Sequence, residues 1–158
     1  MYFSLIDRIE ALEPGKSIVA TKSLAMSEEY LRDHFPQFPV MPGVLMLEAL
    51  TQASAWLIRV GENFAHSMVL LKEARNVKYG RFVQPGQTLR LTATITKQDE
   101  RYTTLKAEGT LEEQTSLKAM LVLDRYNLAN HGGFSDTDAA VVRELKKQLR
   151  LLWNDWKE

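Results

Sequence analysis

The chain has 158 residues, a length that suits one domain with an ordinary core. Its 20 basic and 20 acidic side chains cancel, which speaks against a protein built around nucleic acid. It has no cysteine, so disulfides, a thiolate nucleophile and cysteine-type metal sites are excluded, and a reducing compartment fits that composition.

The start of the chain, Phe3-Ser4-Leu5-Ile6-Asp7-Arg8, has neither a basic lead nor an unbroken apolar run. The expectation is a cytoplasmic protein without a signal peptide. Phe3 to Leu12 fits a strand or a short helix equally. Glu13-Pro14-Gly15-Lys16 is a turn signal, because Pro-Gly suits the central positions of a type II turn. Ser17 to Ala25 carries Ile18, Val19 and Thr21 and reads as a strand. Ser27 before Glu28 and Glu29 reads as an N-cap with acids in the first turn of a short helix ending near Asp33.

The stretch from His34 to Gln52 follows. Pro36, Pro39 and Pro42 stiffen its first part, since proline fixes its own φ and biases the preceding residue toward extended geometry. Gly43 then opens an almost unbroken apolar helix to Val60. Apolar character all round predicts a helix wrapped by other structure, most simply a curved sheet. Glu48 is the one carboxylate in it, an expensive group to bury. Val44, Glu48 and Gln52 share a face at i, i+4 spacing. The run holds Glu48, Thr51, Gln52 and Ser54, so it is too short and too polar for a membrane span. Gly61 suits the left-handed residue just past its end.

Met68 to Val77 reads as a strand, and Gln84-Pro85-Gly86-Gln87 as a second turn. Thr88 to Lys97, Tyr102 to Leu111 and Ser116 to Tyr126 alternate with period two across short polar turns, the pattern of an antiparallel meander. The expected class is α+β, with one long central helix and five or six strands curved around it. Residues 1–126 form that domain. Residues 127–158 form an extension: a loop around Gly132-Gly133, then an amphipathic helix. Ser135 and Asp138 have capping-box spacing. Val142, Leu145, Leu149, Leu152 and Trp156 make its apolar stripe. The stripe suits packing on the same domain or a neighbouring subunit. Arg143, Lys146, Lys147 and Arg150 opposite it leave a membrane-surface helix as the lesser option.

His34-Phe35-Pro36-Gln37-Phe38-Pro39-Val40-Met41-Pro42-Gly43-Val44-Leu45-Met46-Leu47-Glu48-Ala49-Leu50-Thr51-Gln52 closely resembles the signature of the FabZ-type 3-hydroxyacyl-[acyl-carrier-protein] dehydratases. Phe3 to Arg8, Glu13 to Lys16, Glu73-Ala74-Arg75 and Val83 to Gly86 resemble that family's flanking segments in the same order. The resemblance spans Phe3 to Arg125. It implies the hotdog fold and dehydration of a (3R)-hydroxyacyl thioester to the trans-2-enoyl product in fatty-acid or related lipid synthesis. Glu rather than Asp at position 48 resembles the FabZ branch more than the FabA branch, so double-bond isomerisation is not implied. Three departures stand out. Gln37 replaces a frequent glycine, the stretch from Arg75 to Pro85 runs slightly longer, and the extension after Asn127 exceeds the family's usual end.

That chemistry needs a base, an acid and a polarised carbonyl. His34 suits the base, because an unperturbed imidazole titrates near working pH. Glu48 suits the acid if burial keeps it protonated. The backbone N–H groups of Gly43 and Val44, at the positive end of the helix, suit the thioester oxygen. Gln52 can orient Glu48. No metal and no redox cofactor is needed. The resemblance further implies an acyl carrier protein as bearer of the substrate and a homodimer as the catalytic unit, His34 and Glu48 of one site coming from different protomers; family members also assemble as hexamers, trimers of dimers. Lys72, Arg75, Lys78 and Arg81 are a basic cluster, read either as a solvated face or as a dock for the acidic carrier, with structural hydrogen bonds as a further reading of Arg75. His66 and His131 read as surface residues. A hotdog-fold acyl thioesterase and a non-catalytic acyl-carrier-binding protein are the alternatives.

Overall fold

The computed structural model describes residues 3–157. Met1, Tyr2 and Glu158, the outermost residues of the two expected units, lie outside the described residues. Six strands form one antiparallel sheet: β1 (Arg8–Glu13), β2 (Ser17–Ser23), β3 (Met68–Tyr79), β4 (Thr88–Gln98), β5 (Tyr102–Leu111) and β6 (Gln114–Tyr126). Their order across the sheet is β1-β2-β4-β5-β6-β3. Helix α1 (Gly43–Gly61) follows a one-turn 3-10 helix at Glu29–Arg32, and α2 (Ser135–Leu152) follows another at Leu128–His131. This is the hotdog fold, and Phe3 to Leu12 resolves into an extended lead and β1.

The period-two pattern builds the core. Leu89, Leu91 and Ala93 of β4 are buried, as are Leu105 of β5 and Leu117 and Leu121 of β6. Against them α1 lays Leu50, Ala53 and Leu57, all fully buried. Arg90 of β4 points to the other side and pairs with Glu10 at 2.8 Å. Both Pro-Gly turns have positive φ at glycine, 73° at Gly15 and 87° at Gly86, as a type II turn requires.

Several local expectations are corrected. Ser27 does not cap the first 3-10 helix. Glu28 precedes that helix without a side-chain cap bond, and its carboxylate instead takes the buried Lys22 ammonium at 2.5 Å. Gly61 is the last residue of α1 rather than a left-handed residue beyond it; positive φ falls on Asn63 and Phe64. Glycine is required at 61 for another reason. A Cβ there would lie 2.8 Å from the backbone nitrogen of Gly15, so the end of α1 rests directly on the β1–β2 turn.

Nor is α1 wrapped on all sides. Val44 is 70% exposed, and Leu47 and Glu48 are half-buried. The sheet covers one side of the helix only.

The extension packs on its own domain. Leu149 and Leu152 are buried and Leu145 and Trp156 lie against the core, with the Trp156 ring 6.3 Å from that of Phe64. Its apolar stripe is therefore occupied, which removes the membrane-surface reading. No helix among the described residues is long and apolar enough to cross a membrane. The expected capping box is absent: Phe134 is the N-cap residue and no side chain caps it. Asp138 is engaged elsewhere. Its carboxylate accepts from the Ser67 hydroxyl, from Leu128 N at 2.8 Å and from Ala129 N at 3.0 Å.

These donors, the Ser67 hydroxyl foremost, hold the Asp138 carboxyl below the usual aspartate range. A group with a depressed folded pKa contributes stability that is complete above its unfolded pKa. The contribution is lost as pH falls through the folded value. Asp138→Asn keeps an acceptor oxygen but cannot titrate. Its melting temperature is therefore expected to fall less than the parent's between neutral pH and the acid side of the carboxylate range. Parallel melting curves against pH would refute the clamp.

Candidate active site

The loop before α1 is organised by paired backbone groups. Three of its residues are prolines without an N–H, and the donors that remain close on each other. Phe35 and Phe38 exchange N–H to carbonyl bonds of 3.2 and 3.0 Å, and Val40 N donates to His34 O at 3.0 Å. Met41 N donates to Val83 O at 2.9 Å, tying the loop to the strand-entry segment before β4. His34 sits at the mouth of this double bracket. Its Nδ1 lies 2.9 Å from the carbonyl oxygen of Val40. A carbonyl can only accept, so Nδ1 carries the proton, and in the neutral ring Nε2 keeps a free lone pair. The Phe35 ring stacks on the imidazole with centroids 4.3 Å apart. His34 is thus held on one ring face by Phe35 and at Nδ1 by Val40, while Nε2 stays available.

Helix α1 starts at Gly43 after Pro42, with no side-chain cap. Pro42 O already accepts from Leu45 N and Met46 N. Among the described residues no backbone acceptor is recorded for the N–H groups of Gly43 and Val44, the orphan donors of a helix start. The Tyr79 ring lies over Gly43 so closely that a Cβ would come within 2.7 Å of it. A side chain at position 43 would have to push the Tyr79 ring at the end of β3 aside.

Glu48 lies one turn further along. Gln52 Nε2 donates to Glu48 Oε1 at 3.0 Å. The amide of Gln52 cannot flip, because Leu5 N donates to its Oε1 at 2.8 Å and its Nε2 also reaches Phe3 O at 3.3 Å. The extended lead before β1 therefore orients Gln52, and Gln52 orients Glu48. Glu48 lines a cavity of about 260 Å³ whose walls include Ala55, Trp56, Val69 and Leu145. It is half-buried at this cavity rather than sealed in the core.

Gly43, Val44, Glu48 and Gln52 thus share one helix, while His34 stands outside the Glu48 cavity. No hydrogen bond joins His34 to Glu48 among the described residues. The basic cluster does not hold together as one free face. The Lys72 ammonium lies 3.7 Å from the centroid of the Tyr102 ring. Arg75 is paired with Glu73 at 2.6 Å, and Arg81 donates to Gln114 Oε1 at 2.9 Å. Lys78 lines a separate groove of about 540 Å³ on the outer sheet face with Lys106, Glu108 and Lys118. That groove touches none of the residues above. His66 is not a plain surface residue: it is partly buried and bonds Glu62 at 2.9 Å. His131 is exposed, its ring against Tyr126. No cluster of three or more metal-binding side chains occurs among the described residues.

Three contributors were invisible to local pattern. Phe3 and Leu5 act through backbone groups, which leave no signature in residue identity. Leu145 belongs to a stripe that reads as packing, and only the tertiary structure brings it to the Glu48 cavity.

A family model described as a FabA-like domain matches residues 1–120. The chain is 37% identical over 116 residues to the 3-hydroxyacyl-[acyl-carrier-protein] dehydratase FabZ of Lactobacillus helveticus, covering 73% of this chain and 78% of that protein. It is 45% identical over 92 residues to the protein of the same name from Pediococcus pentosaceus, covering 58% and 62% respectively. Among solved structures, the dehydratase heterocomplex ApeI:P from Xenorhabdus doucetiae superposes with a TM-score of 0.64 at 18% identity, over 78% of this chain and 83% of that one. The PaaI protein of the E. coli phenylacetic acid degradation operon gives 0.58 at 16% identity, over 75% and 82%. At such identities the structural likeness concerns the fold.

Proposed function

Since the chain belongs to the FabA-like domain family and, within it, to the FabZ 3-hydroxyacyl-[acyl-carrier-protein] dehydratases, we propose that it removes water from a (3R)-3-hydroxyacyl thioester borne by acyl carrier protein, giving the trans-2-enoyl thioester for fatty-acid synthesis. It is a hydro-lyase. His34 Nε2 takes a proton from C2, next to the carbonyl. The electron pair left behind is delocalised toward the thioester oxygen, which the Gly43 and Val44 N–H groups stabilise. The C2=C3 bond then forms as the C3–O bond breaks. The hydroxyl departs as water with a proton from Glu48, and the proton on His34 returns to Glu48 before the next cycle. Gln52 keeps the Glu48 carboxyl aimed at the cavity.

The observation that carries this reading is the His34 to Val40 hydrogen bond, which leaves Nε2 with a free lone pair on the loop that leads into the uncapped start of α1. A second copy of the chain completes the site. Two features favour it: the open side of α1, and β3, a twelve-residue strand paired on one edge only. Exposed Phe35, Phe38, Tyr79 and Phe82 gather around the His34 loop and the end of β3 and add apolar area for that contact. The His34 of one protomer then faces the Glu48 of its partner, and trimerisation of such dimers gives the larger assembly. The acidic carrier is steered by the charges of Lys78 and its neighbours Lys106 and Lys118 on the outer sheet face. The protein acts in the cytoplasm.

Purified protein given a 3-hydroxyacyl-[acyl-carrier-protein] is expected to form the enoyl product, read by its absorbance and by mass. Release of free carrier thiol without enoyl product would instead favour a thioesterase. Bound acyl chains with no turnover would favour a carrier-binding protein.

A further inference from the structure

We propose that α2 forms the end wall of the acyl cavity, and that Leu145 and Gln148 limit the acyl length the enzyme accepts. The inference rests on the dehydratase reading above. The cavity follows one stripe of α1, from Glu48 through Gln52, Ala55 and Trp56 to Arg59. These residues recur at threes and fours and so share a face. At 1.5 Å of rise per residue the stripe is about 16 Å long.

The reaction gives this stripe a direction. The C3 hydroxyl must meet Glu48, and the apolar lining lies past Gln52 toward Trp56, so C4 and the carbons beyond follow it. Along that path the lining is apolar, with Ala55 and Trp56 on one side and Val69 and Leu71 of β3 on the other. At the far end it changes. Arg59 lies there with its guanidinium 5.2 Å from the Trp56 ring centroid, and Leu145 and Gln148 come in from α2, whose Lys146 lies 5.7 Å from the ring of Phe64 just past the end of α1. A methyl terminus gains little from polar neighbours and loses the apolar contact that drew the chain in.

The wall has three anchors. Leu149, next to Gln148, is fully buried. The Asp138 clamp fixes the first turn of α2, and the Phe64 to Trp156 contact fixes the segment after its last turn. All of α2 lies beyond residue 120, where the match to the family model ends. This limit on length is therefore an addition of the extension and not a property of the shared domain.

The test is a length profile. Parent, Leu145→Ala, Gln148→Ala and Leu145→Trp proteins are assayed on carrier-linked (3R)-3-hydroxyacyl substrates of graded length, with melting curves to select folded variants. The quantity read is the ratio of kcat/KM for the first length the parent rejects to that for the length it prefers. Shortening either side chain is expected to raise this ratio by about tenfold or more, the discrimination that a methylene or two commands in an apolar pocket. Leu145→Trp is expected to move the cut-off to shorter chains. An identical ratio in all folded variants overturns the wall, because the parent's own turnover shows that the substrate enters. A parent that dehydrates no length overturns the dehydratase reading, and the wall with it.

Discussion

His34→Ala is expected to lower kcat/KM for dehydration by about 10²–10⁴-fold, the range over which a positioned acid or base contributes. The protein should still fold. The variant loses one hydrogen bond, from Nδ1 to Val40 O, worth about 1 kcal/mol. The backbone bracket of Phe35 with Phe38 and the Val40 N to His34 O bond survive, since they need no side chain at 34. The decisive comparison is therefore turnover against melting temperature. Near-parental turnover in a folded His34→Ala protein would remove the imidazole from the chemistry. Collapse of the fold would point to a structural role, and His34→Asn, which keeps an N–H donor toward Val40, would then separate the two.

Glu48→Gln is expected to lose a similar factor. The substitution retains an oxygen for Gln52 Nε2, so the cavity keeps its shape while the transferable proton disappears. The pair of variants also tests the two-subunit site. His34 does not line the Glu48 cavity within one chain, so inactive His34→Ala and inactive Glu48→Gln chains should complement each other. Random pairing of co-expressed chains makes half of the dimers mixed, each with one intact site, so turnover should recover to about a quarter of the parental level. No recovery in demonstrably mixed dimers would put both groups in one protomer. Size measurement on the same samples distinguishes dimer from hexamer.

The fold could be read in advance because its elements declare themselves locally. Alternation in β4, β5 and β6, Pro-Gly at 14–15 and 85–86, and an apolar run of helical length at 43–61 each have a single structural solution. Glu48 and Gln52 at i, i+4 made their contact predictable too. What could not be read depends on partners distant in sequence. An apolar helix looks the same whether a sheet or a second copy covers it, so the open side of α1 around Val44 was missed. Ser135 and Asp138 have the spacing of a capping box, but Asp138 is drawn away by Ser67, Leu128 and Ala129. Gly61 looked like a helix terminator and is instead a point of close approach to Gly15. Lys72 reads as free positive charge until the Tyr102 ring beneath it is known, and of the readings open for Arg75 its bonds to Glu73 fit the structural one.

The Asp138 clamp has a consequence for how the molecule breathes. The extension is joined to the rest of the domain by a short set of contacts: the Asp138 to Ser67 bond, the buried Leu149 and Leu152, and Val142, Leu145, Trp153 and Trp156 against the core. The six strands and α1 share a far larger core. A segment held so lightly opens as its own cooperative unit, below the free energy of global unfolding. The Leu128 and Ala129 amides, both bound to Asp138 in the closed form, should then exchange their hydrogens together and ahead of those in β5 and β6. Acidification should speed that pair first. An enzyme built this way carries its length gauge on its least secured part, where altered substrate preference and altered local opening arise from the same few residues.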